Sequence, residues 1–314
     1  MRKALLSLFF ALPAFFVAPV FAEGSIELHV EDLSSRFVDF YNAASEPGID
    51  EPHRWALWQQ RYGFAAVPPD ERGQAAARDM LREAWPEYPK AIDRILAGYG
   101  GMRPSPESQL RAAAELLKLD RPLKVTILAY VGMFEGNAFT TATDKGQVTV
   151  ALPIEDEPRH RAVTAAHELT HAVHIALGSL DSDATVATIA LSEGLAMHAS
   201  QALVPGGKLE SYVELTPGWF ARAKAKEREI LRNIRPKLAA RDGATLYRFT
   251  MDRGPTGLDR EAYYAGWRVV GLWLAEGRSL ADIARIPPQR AAPEFDAAIG
   301  RLLAKKSPAP PKAQ

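Results

Sequence analysis

The residues best suited to chemistry lie in the stretch Ala162–Leu177, A-V-T-A-A-H-E-L-T-H-A-V-H-I-A-L. His167-Glu168-Leu169-Thr170-His171 forms the pattern H-E-x-x-H. Residues four apart on an α-helix differ by about one turn, so His167 and His171 share a face. Two imidazoles so placed can ligate one zinc ion, and Glu168 beside them can act as base toward a water that the zinc activates. With seven His in 314 residues, a random chain of this composition would carry the pattern with a probability of roughly 0.01. The same stretch is apolar around most of its girth through Val163, Ala166, Leu169, Ala172, Val173, Ile175 and Ala176, so it is expected to be buried. Histidines and a glutamate inside a buried helix need partners. A core helix whose polar groups bond their neighbours without metal is the bland alternative, and the weaker one.

A tetrahedral catalytic zinc takes three protein ligands and leaves a position for water. The extended pattern with Gly at 174 and His at 177 is excluded, because the chain has His174 and Leu177 there. Asp181 and Asp183, in the loop after the helix, can each offer a carboxylate. Glu193 is the preferred third ligand. It lies in Ala184–Ala202, which reads as a second helix, on a side shared with Val186, Ile189, Ala190 and Met197. A carboxylate on an apolar stripe is costly unless paired or bound to metal. A salt-bridged core glutamate is the competing reading. His174, seven residues after His167, shares the zinc face as well. It reads foremost as a hydrogen-bonded core residue, with a supporting or substitute ligand role as the alternative.

These segments carry a resemblance. H-E-x-x-H followed, a loop later, by a helical Glu resembles the ligand set of the gluzincin metallopeptidases. Ser192-Glu193-Gly194-Leu195-Ala196 is similar to the E-G-L-A segment of a bacterial family of predicted zinc-dependent proteases. Upstream, Asn137-Ala138-Phe139 resembles the Asn-Ala-Phe edge segment of thermolysin-like peptidases. Downstream, Tyr263-Tyr264-Ala265-Gly266-Trp267 looks like the Y-x-x-G-aromatic helix of the predicted-protease family. The likeness covers roughly Pro122–Gly277. The 22 positions from His171 to Glu193 exceed the spacing in thermolysin-like enzymes. The resemblance implies a zincin-like catalytic domain in which a strand lining the cleft pairs with a bound polypeptide through main-chain hydrogen bonds. Asn137 would add a side-chain contact to substrate; as a residue following Gly136 it also suits a turn.

Attack on a peptide carbonyl builds negative charge on its oxygen, and a preorganised donor lowers that barrier. The basic residues nearest the zinc helices in sequence are Arg159, Arg161 and Lys208. A tyrosine hydroxyl is a suitable neutral donor. Tyr263 and Tyr264 are adjacent on a helix and point about 100° apart, so one of them is expected to face the cleft. Tyr263 shares a face with Gly266, Trp267 and Val270, the resemblance also places its tyrosine at 263, and Tyr263 is the expected donor. Two tyrosines packed in the core is the alternative.

The elements that must position these groups follow from the rest of the chain. Residues 1–22 read as a secretory signal: Arg2 and Lys3, the apolar run Ala4–Val20, then Val20-Phe21-Ala22 as cleavage site. An exported chain with no Cys suits a bacterial periplasm or exterior. Basic and acidic residues are equal at 38 each. Removing the leader's two leaves 36 against 38, a net −2, which gives no support to nucleic-acid binding. No apolar run after the leader is long enough to span a bilayer. Residues 23–121 are expected to form a helical N-terminal region, with a helix over Ile26–Ala44 and an aromatic stripe of Trp55, Trp58 and Tyr62 that reads as core. Gly100–Pro106 is the best linker candidate. Strands are expected at Leu123–Val131, Asn137–Thr143 and Gln147–Leu152, the last two around the turn Asp144-Lys145-Gly146. The region 122–304 is therefore expected to be a zinc peptidase domain, and 305–314 a disordered tail. The fold class is α+β, mostly helical, with a small sheet and an H-E-x-x-H helix. The function expected is an exported zinc-dependent peptidase with a polypeptide substrate and Glu168 as general base. A zinc-stapled binding protein and a zinc hydrolase of a non-peptide, cell-wall amide are the rivals.

Overall fold

The computed structural model describes residues 25–143, 146–178 and 184–304. The proposed leader 1–22, the turn residues Asp144 and Lys145, the alternative ligands Asp181 and Asp183, and the tail 305–314 lie outside the described residues. The chain runs β1 (Ile26–Asp32), α1 (Ser34–Ala44), α2 (Glu51–Arg61), α3 (Glu71–Ala84), α4 (Tyr88–Ala97) and α5 (Pro106–Leu116). Then come β2 (Leu123–Tyr130), β3 (Phe139–Ala142), β4 (Gln147–Pro153), α6 (Pro158–Ala176) and α7 (Val186–Leu203). The last part holds α8 (Glu210–Val213), α9 (Trp219–Ala225), α10 (Glu227–Ile234), α11 (Gly243–Thr250), α12 (Glu261–Ala275), α13 (Leu280–Ala284) and α14 (Pro288–Ala304). This is an α+β architecture, mostly helical, with one four-stranded sheet. Among the described residues no helix is long and apolar enough to cross a membrane.

The sheet has the order β1-β2-β4-β3, with β1, β2 and β4 parallel and β3 antiparallel on the edge. The helix expected over Ile26–Ala44 is half wrong. Ile26–Asp32 is a strand, paired in register from Ile26 opposite Leu123 to Asp32 opposite Ala129, and the helix starts only at Ser34. The segment Ile-Glu-Leu-His-Val-Glu-Asp alternates apolar and polar, and its burial alternates with it. That period of two belongs to a strand; the aromatics of the following helix, Phe37, Phe40 and Tyr41, masked it. The sheet thus takes one strand from the N-terminal region, and one continuous apolar core runs from Leu33 to Leu302. Within Gly100–Pro106, Met102 is buried in that core and Ser105 caps α5 by accepting from the amide of Ser108.

The aromatic residues of the N-terminal helices do more than fill space. The Tyr62 hydroxyl donates to the Val131 carbonyl and accepts from the Val131 amide, both at 2.8 Å. Tyr88 donates to the Gly132 carbonyl at 2.9 Å, and Tyr130 donates to the Asn137 carbonyl at 2.6 Å. Glu155, just past β4, accepts from the amides of Gly132 at 2.9 Å and Phe134 at 3.3 Å. Buried hydrogen bonds of this kind fix a backbone because each would be costly to leave unmade. Here they fix residues 131–137, the connection that delivers the edge strand β3 alongside α6.

Candidate metal centre

Helix α6 covers the expected zinc helix and begins a turn earlier, at Pro158, where the missing N–H of proline costs nothing. One face packs on the sheet and another on α7, so Ala165, Ala166, Leu169, Ala172 and Val173 are fully buried. Helix α7 is closed at its start by a Thr185–Thr188 capping box. It is buried along nearly its whole length between α6 and α12.

These helices bring His167, His171 and Glu193 together. His167 Nε2 lies 3.0 Å from His171 Nε2 and 3.2 Å from Glu193 Oε2, and His171 Nε2 lies 3.6 Å from the same oxygen. Ligands bound tetrahedrally at about 2.0–2.1 Å stand about 3.3 Å apart. Two imidazole nitrogens and a carboxylate oxygen at these separations fit a zinc ion in type and in geometry. His167, Glu168 and His171 likewise offer ligand atoms that all lie within 4.8 Å of one another. Glu193 Oε2 stands within 3.6 Å of both imidazole nitrogens, and the Glu168 carboxylate beside them has a partner of its own.

Glu168 is 8% exposed, and its carboxylate accepts from the Thr140 hydroxyl at 2.8 Å, while the same hydroxyl reaches the Glu168 carbonyl at 2.9 Å. Thr140 sits on β3, so the edge strand fixes the carboxylate next to the donor cluster. Burial disfavours charge on Glu193, but the His171 and His167 rings outweigh it and hold its carboxyl well below the usual range. Burial likewise opposes protonation of His171, and the Glu193 carboxylate overrides it and raises the ring. The site thus favours an anionic Glu193, the form that a metal binds.

Behind the cluster stands a polar chain. His171 Nδ1 is 2.9 Å from the Ser192 hydroxyl, and that hydroxyl is 3.3 Å from His174 Nδ1. His174 is completely buried, and burial pushes its ring down to about 3, with the Ala284 main chain the one group favouring its charged form. A neutral His174 can present a bare Nδ1 to the Ser192 O–H. Ser192 can then accept from His171 Nδ1–H, which leaves His171 Nε2 on the side of Glu193 and His167. His174 is therefore not one of the converging donors, and Ser192 stands between it and His171.

Tyr263 and Tyr264 separate as adjacent helical residues must. Burial pushes the Tyr263 hydroxyl up, and next comes the Glu193 carboxylate, with Glu168 a further contributor; Tyr263 stands at the cluster. The Arg260 guanidinium lies 5.6 Å from its ring centre. The Tyr264 hydroxyl donates to Glu227 at 2.8 Å, on the other side of α12. Gly266 lies against α7: a Cβ there would stand 1.9 Å from the Ala190 carbonyl oxygen, and one on Gly194 would stand 2.4 Å from Gly266. The two glycines let the backbones of α7 and α12 touch, which carries Tyr263 to Glu193.

Asn137 does not join the cluster. Its side-chain amide donates to the Ala66 carbonyl at 2.9 Å, tying the segment after α2 to the start of β3. Sequence reasoning missed Thr140 and Ser192 as site residues. Neither a threonine in F-T-T-A nor a serine beside Glu193 carries a spacing signal of its own.

No protein-family model, curated protein or solved structure matches this chain.

Proposed function

We propose that this chain is an exported zinc-dependent peptidase of gluzincin type, with a zincin-like catalytic region. The observation that carries the reading is the convergence of His167, His171 and Glu193 to 3.0–3.6 Å with the Glu168 carboxylate beside them. Zinc, when bound by these three residues, supplies Lewis acidity and lowers the pKa of water toward about 7. His167 and His171 hold their Nε2 lone pairs on one side of α6, and Ser192 keeps the His171 ring in that tautomer. Glu168 takes a proton at its carboxylate from the attacking water and gives it to the leaving amine nitrogen. Tyr263 donates its O–H to the carbonyl oxygen as charge grows there. Strand β3, on the open edge of the sheet, has main-chain groups available to an extended polypeptide. The leader and the cysteine-free composition support a periplasmic or secreted location.

Two measurements on one variant test this reading. Glu168→Gln preserves shape but cannot accept a proton as a carboxylate does. It is expected to keep about one zinc per chain, by mass spectrometry of the native protein, and to lose about 10²–10⁴-fold in peptide turnover. Wild-type protein that holds zinc yet cleaves no peptide would move the reading to a zinc-stapled binding protein. Cleavage of a cell-wall amide but of no peptide would move it to the non-peptide hydrolase.

A further inference from the structure

One turn before the metal donors, α6 borders a cavity of about 380 Å³ that it shares with α8 and the segment leading to α9. Val163 lines it. Val163 precedes His167 by four residues, so the two share a face about 6 Å apart along the helix. Leu215 and Pro217 form the opposite apolar wall, and Glu210 and Glu214 supply two carboxylates. Among the described residues neither glutamate is ion-paired, and Glu214 Oε1 is buried without a hydrogen-bond partner. The two basic residues of the lining are turned to other partners. Arg159 donates to the Tyr212 hydroxyl at 2.9 Å and reaches the Val204 and Pro205 carbonyls at 3.5 and 3.4 Å. His160 Nδ1 lies 3.4 Å from Asp156.

The two carboxylates outnumber the one guanidinium of the lining, Arg159, and with the apolar wall they complement a long side chain with a cationic head and an aliphatic stem. A bare metal ion suits the cavity less well: among the described residues the donor groups close enough to hold one are at the cluster on α6, not here. An extended chain rises about 3.3 Å per residue, so two residues of substrate cover a length equal to the one helical turn between His167 and Val163.

We infer that this cavity is a subsite for a lysine or arginine side chain of a polypeptide substrate, with Glu210 and Glu214 receiving its cationic head and Val163, Leu215 and Pro217 its stem. The inference rests on the peptidase reading. Its test is binding to the zinc-loaded, full-chain Glu168→Gln protein, read by fluorescence anisotropy. The probes are labelled alanine-rich decapeptides with one central lysine, norleucine or glutamate. The lysine peptide is expected to bind about tenfold more tightly than the norleucine peptide, which has the same stem without the charge. Adding Glu210→Gln and Glu214→Gln is expected to cut that ratio to about twofold or less, with zinc content and Tm retained. Glu214→Lys, a second variant, is expected to turn the preference toward the glutamate peptide. Equal binding of lysine and norleucine peptides, no binding of either, or a lysine preference that survives the double substitution would overturn the subsite. The two readings fail differently. A wild-type protein that cuts neither peptide, while Glu168→Gln still prefers lysine, removes the peptidase and leaves the subsite. Cutting without preference for lysine removes the subsite and leaves the peptidase.

Discussion

At the residue scale, the proposed ligand His171 depends on the residue behind it. Its Nδ1 faces the Ser192 hydroxyl at 2.9 Å, a contact that fixes the ring plane. Removing the outer partner of a metal-bound histidine typically weakens metal affinity 10–100-fold. Ser192→Ala is expected to raise the zinc dissociation constant by about that factor in a chelator competition titration; unchanged affinity would remove Ser192 from the site. The tyrosine pair separates chemistry from packing on adjacent residues. Tyr263→Phe is expected to lower kcat by about tenfold with little change in KM, as for an interaction made mainly in the transition state. Tyr264→Phe loses one hydrogen bond to Glu227, which Arg268 still pairs at 2.7 Å. It is expected to cost about 1 kcal/mol of stability and to leave kcat alone. The reverse pattern would exchange the roles of the two tyrosines.

At the scale of elements, the site depends on a glycine contact. Helices α7 and α12 make the most extensive helix pairing in the molecule, and they do so where Gly194 meets Gly266. A methyl group on Gly266 would collide with the Ala190 carbonyl, which is backbone and cannot swing aside. Gly266→Ala is therefore expected to destabilise the protein by about 1–3 kcal/mol, seen as a lower denaturant midpoint, and to weaken zinc binding by displacing α7 and Glu193. A variant with wild-type midpoint and zinc affinity would show that the helices part without consequence. The helices themselves were legible. The apolar girth of the H-E-x-x-H stretch and the apolar stripe that carries Glu193 place α6 and α7 within a few residues of the expected ranges. Strand β1 was not, because its short alternating run abuts a helix whose aromatics carry the stronger pattern.

Across the whole molecule, the N-terminal helices and the post-β4 segment hold the loop that leads into β3. Glu155 is the sensitive point of that arrangement. It is completely buried; burial, with Asp156 and Glu135 nearby, raises its carboxyl to about 8, against the pull of the Gly132 amide. The folded state therefore keeps a proton that the unfolded chain loses above about 4.5. Folding stability contributed by this group is complete below about pH 4.5 and is lost as pH rises toward 8. The slope has a ceiling of about 1.4 kcal/mol per pH unit. Glu155→Gln is expected to flatten the decline of Tm between pH 5 and pH 8 relative to wild type. Parallel curves for the two proteins would show that Glu155 titrates normally.

Sequence alone determined the parts of the site that sit on one helix. His167 and His171 stand four steps of 100° apart, so their common face follows from spacing without any knowledge of the fold, and Glu168 adjoins it. Glu193 was reachable because a carboxylate on an apolar stripe signals a partner, although the stripe could not say which partner. Tertiary structure alone decided the rest. It chose Tyr263 over Tyr264 by docking α12 on α7 at two glycines. It spent the Asn137 side chain on Ala66, brought Thr140 to Glu168 across the sheet edge, and placed Ser192 between two histidines. Each of these is a contact between residues at least 18 positions apart. Local periodicity carries no information about such pairs, because which faces meet depends on how the elements pack and not on the order of residues within any one of them.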